Sequence, residues 1–259
     1  MNHIDVVILA AGLGSRLSSR EPKCLNVLPD GRTILRQQVD NIRGVLGEGA
    51  RITIVVGFEC AHIMQHVPDV HYVYNERFAA TNTNRSLLRA LELSTGRTCI
   101  WMNGDVVFDA VILERLVGVA AGGTSAIAVN TSRVTDEEVK YVVDATGFVG
   151  SLSKVVPVQE AQGESVGVNV VVEADLPALI ARLRDCDDLD YFERGLELAI
   201  AQDGMRLAPV DISDLYAVEV DTPEDLRLAR DVHAAALQGA TAARVAGGHA
   251  AQDVGALVR

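Results

Sequence analysis

Aromatic side chains are scarce in this chain, at 4% of 259 residues with a single Trp, so its core must be aliphatic. Cysteine is equally sparse. Cys24, Cys60, Cys99 and Cys186 form no CxxC pair and have no histidine cluster nearby, which argues against a zinc site or a disulfide framework and for reduced, mostly buried thiols. Cations are outnumbered, with 23 Lys and Arg against 35 Asp and Glu and a formal net charge of -12. That balance excludes a broad contact with DNA, RNA or anionic lipid, although a small anionic ligand needs only local positive charge. No stretch reaches the roughly 18 uninterrupted apolar residues of a membrane span, and the first apolar run contains Asp5 and lacks a basic leader. A soluble, cytoplasmic protein without membrane or nucleic-acid partners is expected.

About half of the residues are hydrophobic, at 49%, and their pattern alternates short apolar strands with helical spacing. This is the mark of an α/β fold, Rossmann-like, with a mostly parallel mixed sheet covered by helices on both faces. The expected strands are residues 6–10, 51–56, 70–74, 99–102 and 125–129, and the expected helices 34–46, 61–66, 86–93 and 110–119. Residues 140–156, with a turn at 144–147, read as an added antiparallel hairpin. Helices near 176–184 and 191–202 follow, then a strand at 216–220 and a helix opened by Thr222-Pro223-Glu224-Asp225. One domain, 1–238, is expected, with an Ala/Gly-rich flexible extension at 239–259.

Three stretches carry the chemistry. The first strand ends in Leu9, Ala10, Ala11, Gly12, Leu13, Gly14, Ser15, Arg16 and Leu17, and Pro22-Lys23 follows. Glycines at 12 and 14 let backbone N–H groups approach an anion, and Arg16 and Lys23 can share its charge. Leu17 stands where a dinucleotide fingerprint needs its third glycine, and no Walker Gly-Lys-Ser/Thr is present. Gly104-Asp105 ends an apolar strand, where open α/β sheets place their ligands, and its carboxylate can hold a divalent cation. Glu219 and Asp221, two apart, project from one side of a strand, and with Asp105 they would make an oxygen-rich site suited to magnesium. On sequence alone the bland alternatives stay open: the loop as a plain turn, Asp105 or Asp221 as a helix cap, Glu219 facing solvent.

Taken together, these stretches resemble the nucleotidyltransferase superfamily that activates sugar phosphates and related alcohols, over nearly the whole chain to about Val232. The segment from Tyr74-Asn75 through Thr81-Asn82 to Ser86-Leu87 is similar to the phosphocholine, inositol-phosphate and phosphonate cytidylyltransferases within it. The resemblance implies transfer of CMP from CTP to the phosphate or phosphonate of a small acceptor, releasing pyrophosphate, with Mg2+ on Asp105, Glu219 and Asp221. It implies a nucleotide site at Leu9, Ala10, Ala11, Gly12, Gly14, Ser15, Asn82 and Gly104, and catalytic cations at Arg16, Lys23 and Lys154. Lys154 is chosen over Lys140, an exposed strand lysine being the alternative for either. The acceptor side would comprise Asn84, Arg85, Glu164, Asn169, Asp190, Tyr191 and Glu193. Its carboxylates and aromatic face suit a cationic or polyhydroxylated molecule, although Tyr191 also reads as core and Glu193 as a solvated helix face. Members of the superfamily often form dimers, so a homodimer is among the assemblies implied. The rivals are a sugar-1-phosphate nucleotidyltransferase using UTP, dTTP or GTP, and a catalytically silent nucleotide sensor.

Overall fold

The computed structural model of the protein describes residues 4–14, 21–94, 96–132 and 134–255, with 240–255 as backbone only. At its centre is β1 (Asp5–Ala10), joined in parallel by β2 (Arg51–Val56), which in turn pairs with β3 (His71–Tyr74). On its other side β1 pairs in parallel with β4 (Cys99–Asn103), with Leu9 opposite Asn103. The alternation of side chains along β1 sends Val7 and Leu9 into one apolar cluster and Val6 and Ile8 into another. Both faces are therefore buried, as in parallel sheets generally. One face is covered by α3 (Thr83–Glu92), α5 (Leu176–Asp185) and α6 (Phe192–Asp203) through Leu87, Leu179 and Phe192. The other is covered by α1 (Ile34–Leu46), α2 (Cys60–His66) and α4 (Val111–Ala121) through Leu35, Ile63 and Ile112.

The expected parallel continuation beyond β4 is interrupted. A strand absent from the sequence reading, β9 (Gly163–Val171), lies antiparallel between β4 and β6 (Ser125–Asn130), and β10 (Leu207–Asp211) extends the edge parallel to β6. The sheet order is β10-β6-β9-β4-β1-β2-β3. The hairpin is present as β7 (Lys140–Val143) and β8 (Val149–Ser153), attached through β7 to the start of β9.

A small separate ladder positions the late acidic residues. The strand β5 (Val106–Phe108) follows β4 directly and pairs antiparallel with β11 (Ala217–Glu219), with Glu219 opposite Val106. The Val220 amide adds a hydrogen bond to the Asp105 carbonyl at 2.9 Å. The last helix, α7 (Pro223–Gly255), begins with a reciprocal cap in which Thr222 Oγ1 accepts from the Asp225 amide and Asp225 Oδ2 accepts from the Thr222 amide. The backbone is helical through the Ala/Gly-rich segment to Gly255. Alanine, the strongest helix former, outweighs the intervening glycines there.

Candidate active site

The loops after β1 and β4, the β5–β11 ladder, the approach to the hairpin and the start of α6 enclose a cavity of about 690 Å3. Gly104 lets the first two come together: its amide donates to the Leu9 carbonyl at 2.8 Å, and a Cβ there would stand 2.9 Å from that oxygen and 3.0 Å from Ala10 Cβ. Gly14 adopts φ +62 beside the Lys23 side chain, a conformation that glycine alone enters without strain. Lys23 opens a single 3-10 turn, Lys23–Leu25, whose first carbonyl is held by Asn26 Nδ2 at 2.8 Å. That turn aims the ammonium into the cavity.

There Lys23 Nζ lies 3.4 Å from Asp105 Oδ2 and also donates to Asp221 Oδ1. Oxygens of Asp105, Glu219 and Asp221 all lie within 4.8 Å of one another. Since Thr222 and Asp225 cap α7, the Asp221 carboxylate is turned to Lys23 instead, which removes its reading as a helix cap. Burial raises the Asp105 carboxyl above the ordinary carboxylate range, Lys23 opposes the shift, and Asp221 adds to it. Glu219 is driven well above its usual value, first by burial and then by Asp105, Glu138 and Asp221. Burial works against the Lys23 ammonium, but Asp105 and Asp221 outweigh it and leave the group raised. Three hard oxygen donors this close together fit Mg2+.

Leu9, Ala10, Gly12, Gly14, Lys23, Asn82, Gly104, Asp105, Lys154, Tyr191, Glu193, Glu219 and Asp221 all line the cavity. Ser15 and Arg16 lie outside the described residues. The remaining expected positions do not form its wall. Ala11 is buried with its carbonyl accepting from the Phe58 amide. Asn84 is fully buried and donates to the Asp187 carbonyl at 2.6 Å, while Arg85 is turned to Asp188, Leu183 and Cys186. Glu164 accepts from the amide and hydroxyl of Thr135, and Asp190 accepts from the Asp187 amide. Asn169 sits in β9 opposite Trp101 and is fully buried, whereas Ser165 and Gly167, earlier in the same strand, line the cavity. Lys140 is also buried, its Nζ donating to the carbonyls of Asp136 and Glu138 at 3.0 Å, while exposed Lys154 lies 4.9 Å from the centre of the Tyr191 ring.

Sequence reasoning missed Glu138 and Asn103, which line the cavity together with Ser165 of β9. The acidic run Asp136-Glu137-Glu138 just before the hairpin was the available signal for the first. Glu193, far from solvated, is 7% exposed, and its Oε2 has no hydrogen-bond partner among the described residues. Burial pushes its carboxyl up to about 7, Lys154 pulls it back, and Glu138 and Glu197 raise it further. Lys23 and the three carboxylates therefore share the cavity with Glu138, Glu193, Tyr191 and Lys154, and Glu138 and Glu193 both add to the upward shift of Glu219.

Residues 6–166 match the family described as the MobA-like NTP transferase domain. The chain is 32% identical over 251 residues, 87% of its length, to the CMP-5'-(3-aminopropyl)phosphonate synthase of Streptomyces rubellomurinus, and spans 38% of that protein. It is 31% identical over 169 residues, 64% of its length, to the bifunctional protein GlmU of Burkholderia orbicola, and spans 36% of it. The chain thus covers well under half the length of these relatives. Among solved structures, the CTP:phosphocholine cytidylyltransferase of Streptococcus pneumoniae superposes with a TM-score of 0.70 at 16% identity, covering 89% of this chain and 99% of that one. The inositol-1-phosphate CTP transferase of T. maritima gives 0.69 at 14%, covering 90% and 97%. These two likenesses bear on the fold.

Proposed function

Because the chain belongs to the MobA-like NTP transferase domain family, we propose that it is a Mg2+-dependent cytidylyltransferase moving CMP from CTP to a small phosphonate or phosphate that carries an amine. The observation that carries this reading is the make-up of the cavity. It gathers Asp105, Glu219, Asp221 and Lys23 near the glycine turn, and it also presents Glu138 and Glu193, whose buried Oε2 has no hydrogen-bond partner among the described residues.

The reaction is an in-line displacement in which an acceptor phosphonate oxygen forms a bond to the α-phosphorus of CTP as the bond to pyrophosphate breaks. The acceptor oxygen is already ionised at neutral pH, so no general base is required, and the protein's work is positioning and charge neutralisation. Asp105, Glu219 and Asp221 would hold Mg2+, which when bound supplies positive charge against the phosphates. Lys23, released from part of its pairing with these carboxylates, neutralises charge growing on the phosphate oxygens. The amides around Gly12 and Gly14 and the side chain of Asn82 border the nucleotide. Lys154 faces the acceptor's anionic head, while Glu193, Glu138 and the Tyr191 ring receive its ammonium.

The name of the phosphonate relative and the identity over 87% of the chain support this acceptor class; the rival is a sugar-1-phosphate acceptor with UTP. Pyrophosphate release from CTP, UTP, GTP and dTTP, each paired with aminoalkylphosphonates, phosphocholine, inositol phosphate and sugar 1-phosphates, separates the two. Release with CTP and an amine-bearing acceptor is expected. Turnover confined to UTP and a sugar phosphate would overturn the proposal.

A further inference from the structure

The wall made by Tyr191, Phe192 and Glu193 is not self-supporting. Residues 186–191 join α5 to α6 without regular structure of their own, and four consecutive residues at the start of α3 hold them. The Asn82 amide donates to the Asp188 carbonyl at 2.8 Å, and its Nδ2 to the Leu189 carbonyl at 3.1 Å. Thr83 Oγ1 accepts from the Phe192 amide at 3.1 Å. Asn84, fully buried, donates to the Asp187 carbonyl at 2.6 Å.

Arg85 completes the seam. Its Nε donates to Asp188 Oδ1 at 2.9 Å, and its two terminal nitrogens to the carbonyls of Leu183 at 3.2 Å and Cys186 at 2.6 Å. Those carbonyls lie at the C-terminal end of α5, where helix geometry leaves acceptors unsatisfied and the dipole favours a cation. Three separate nitrogens of one planar fork each reach a different acceptor, which the single nitrogen of a lysine replaces only in part. Asn82 and Thr83 also line the cavity, so one turn of helix both borders the site and holds its wall.

We propose that Asn84 and Arg85 are positioning residues that set the acceptor wall from behind, governing acceptor capture without touching either substrate. This rests on the function proposed above, which seats the acceptor against Tyr191 and Glu193. Loosening the seam displaces those two side chains, and a displacement of about 1 Å at a reacting site can cost up to about 100-fold.

The test compares Arg85→Met, Arg85→Lys and Asp188→Asn with the wild type by steady-state pyrophosphate release from CTP and an aminoalkylphosphonate, alongside amide hydrogen exchange. In Arg85→Met the acceptor KM is expected to rise about tenfold or more while the CTP KM stays within roughly twofold, with Arg85→Lys intermediate. Exchange should quicken at 187–193 and not in β1 or β4. Asp188→Asn alters a half-exposed side chain and keeps the question open to experiment if Arg85→Met fails to fold; it should shift the same parameter in the same direction. Equal changes in both Michaelis constants, or an unchanged acceptor KM in folded variants, would overturn the proposal. If the wild type transfers to no acceptor, the functional reading falls. The seam is then judged by exchange alone, and unaltered protection at 187–193 in the variants defeats it.

Discussion

The ammonium of Lys23 donates to the carboxylate of Asp221, which lies 198 positions further along the chain. Two charges so distant in sequence are brought together only because the β5–β11 ladder and the turn after Pro22 converge on one end of the sheet. Replacing Lys23 with Ala should lower kcat by about 100-fold or more, the scale of losing one preorganised charge-stabilising donor. If steady-state kinetics showed a change in the Michaelis constant alone, the role given to Lys23 in the transition state would be wrong.

The carboxylate set yields a metal prediction. Chelation with EDTA should abolish pyrophosphate release, and added Mg2+ should restore it, since crowded oxygen donors of this hardness need a divalent cation. Asp105→Ala should stay inactive at any Mg2+ concentration while its circular dichroism matches the wild type. Near-normal turnover of that variant would remove Asp105 from the site.

Glu193 makes stability depend on pH. Burial pushes its folded carboxyl up to about 7 from an ordinary 4.5. Between those values the unfolded chain has released a proton that the folded chain still holds, so stability falls as pH rises, by about 3 kcal/mol across the window. Urea midpoints at pH 5 and pH 8 should differ by less in Glu193→Gln than in the wild type. Equal pH dependence in both proteins would contradict the shift.

Gly104 is a steric prediction. A Cβ there meets the Leu9 carbonyl at 2.9 Å and Ala10 Cβ at 3.0 Å, neither of which can swing aside. Gly104→Ala should destabilise the fold by about 1–3 kcal/mol, the usual cost of overpacking, and should impair turnover by parting β1 from the residue beside Asp105. A wild-type urea midpoint would show that the two strands have slack.

Much of this was legible in the chain because period and punctuation are local signals. The alternation in β1, the Thr33 cap of α1 and the Thr222-Pro223 opening of α7 each announce an element without reference to the rest. The strand β9 was not, since its burial against β4 and β6 depends on partners made elsewhere, although the apolar run from Val166 to Val172 was available as a hint. The inner site was readable because glycines and acids at strand ends carry few other uses. The supporting residues were harder to place. Asn84, Arg85 and Glu164 look like ligand contacts by type, yet their partners are backbone groups together with the Asp188 carboxylate and the Thr135 hydroxyl, a pairing that no sequence pattern displays. Glu193 lines the cavity, and its alternative reading as a solvated helix face fails because α6 is packed with that side inward.

The antiparallel pairing of β5 with β11 also orders events in time. Val106 is synthesised more than a hundred residues before its partner Glu219, so the acidic triad cannot exist until the chain has been made through Asp221. A nascent chain halted short of that point would own the glycine turn and the lysine but only one of the three carboxylates. The cluster is thus completed later than either of those parts.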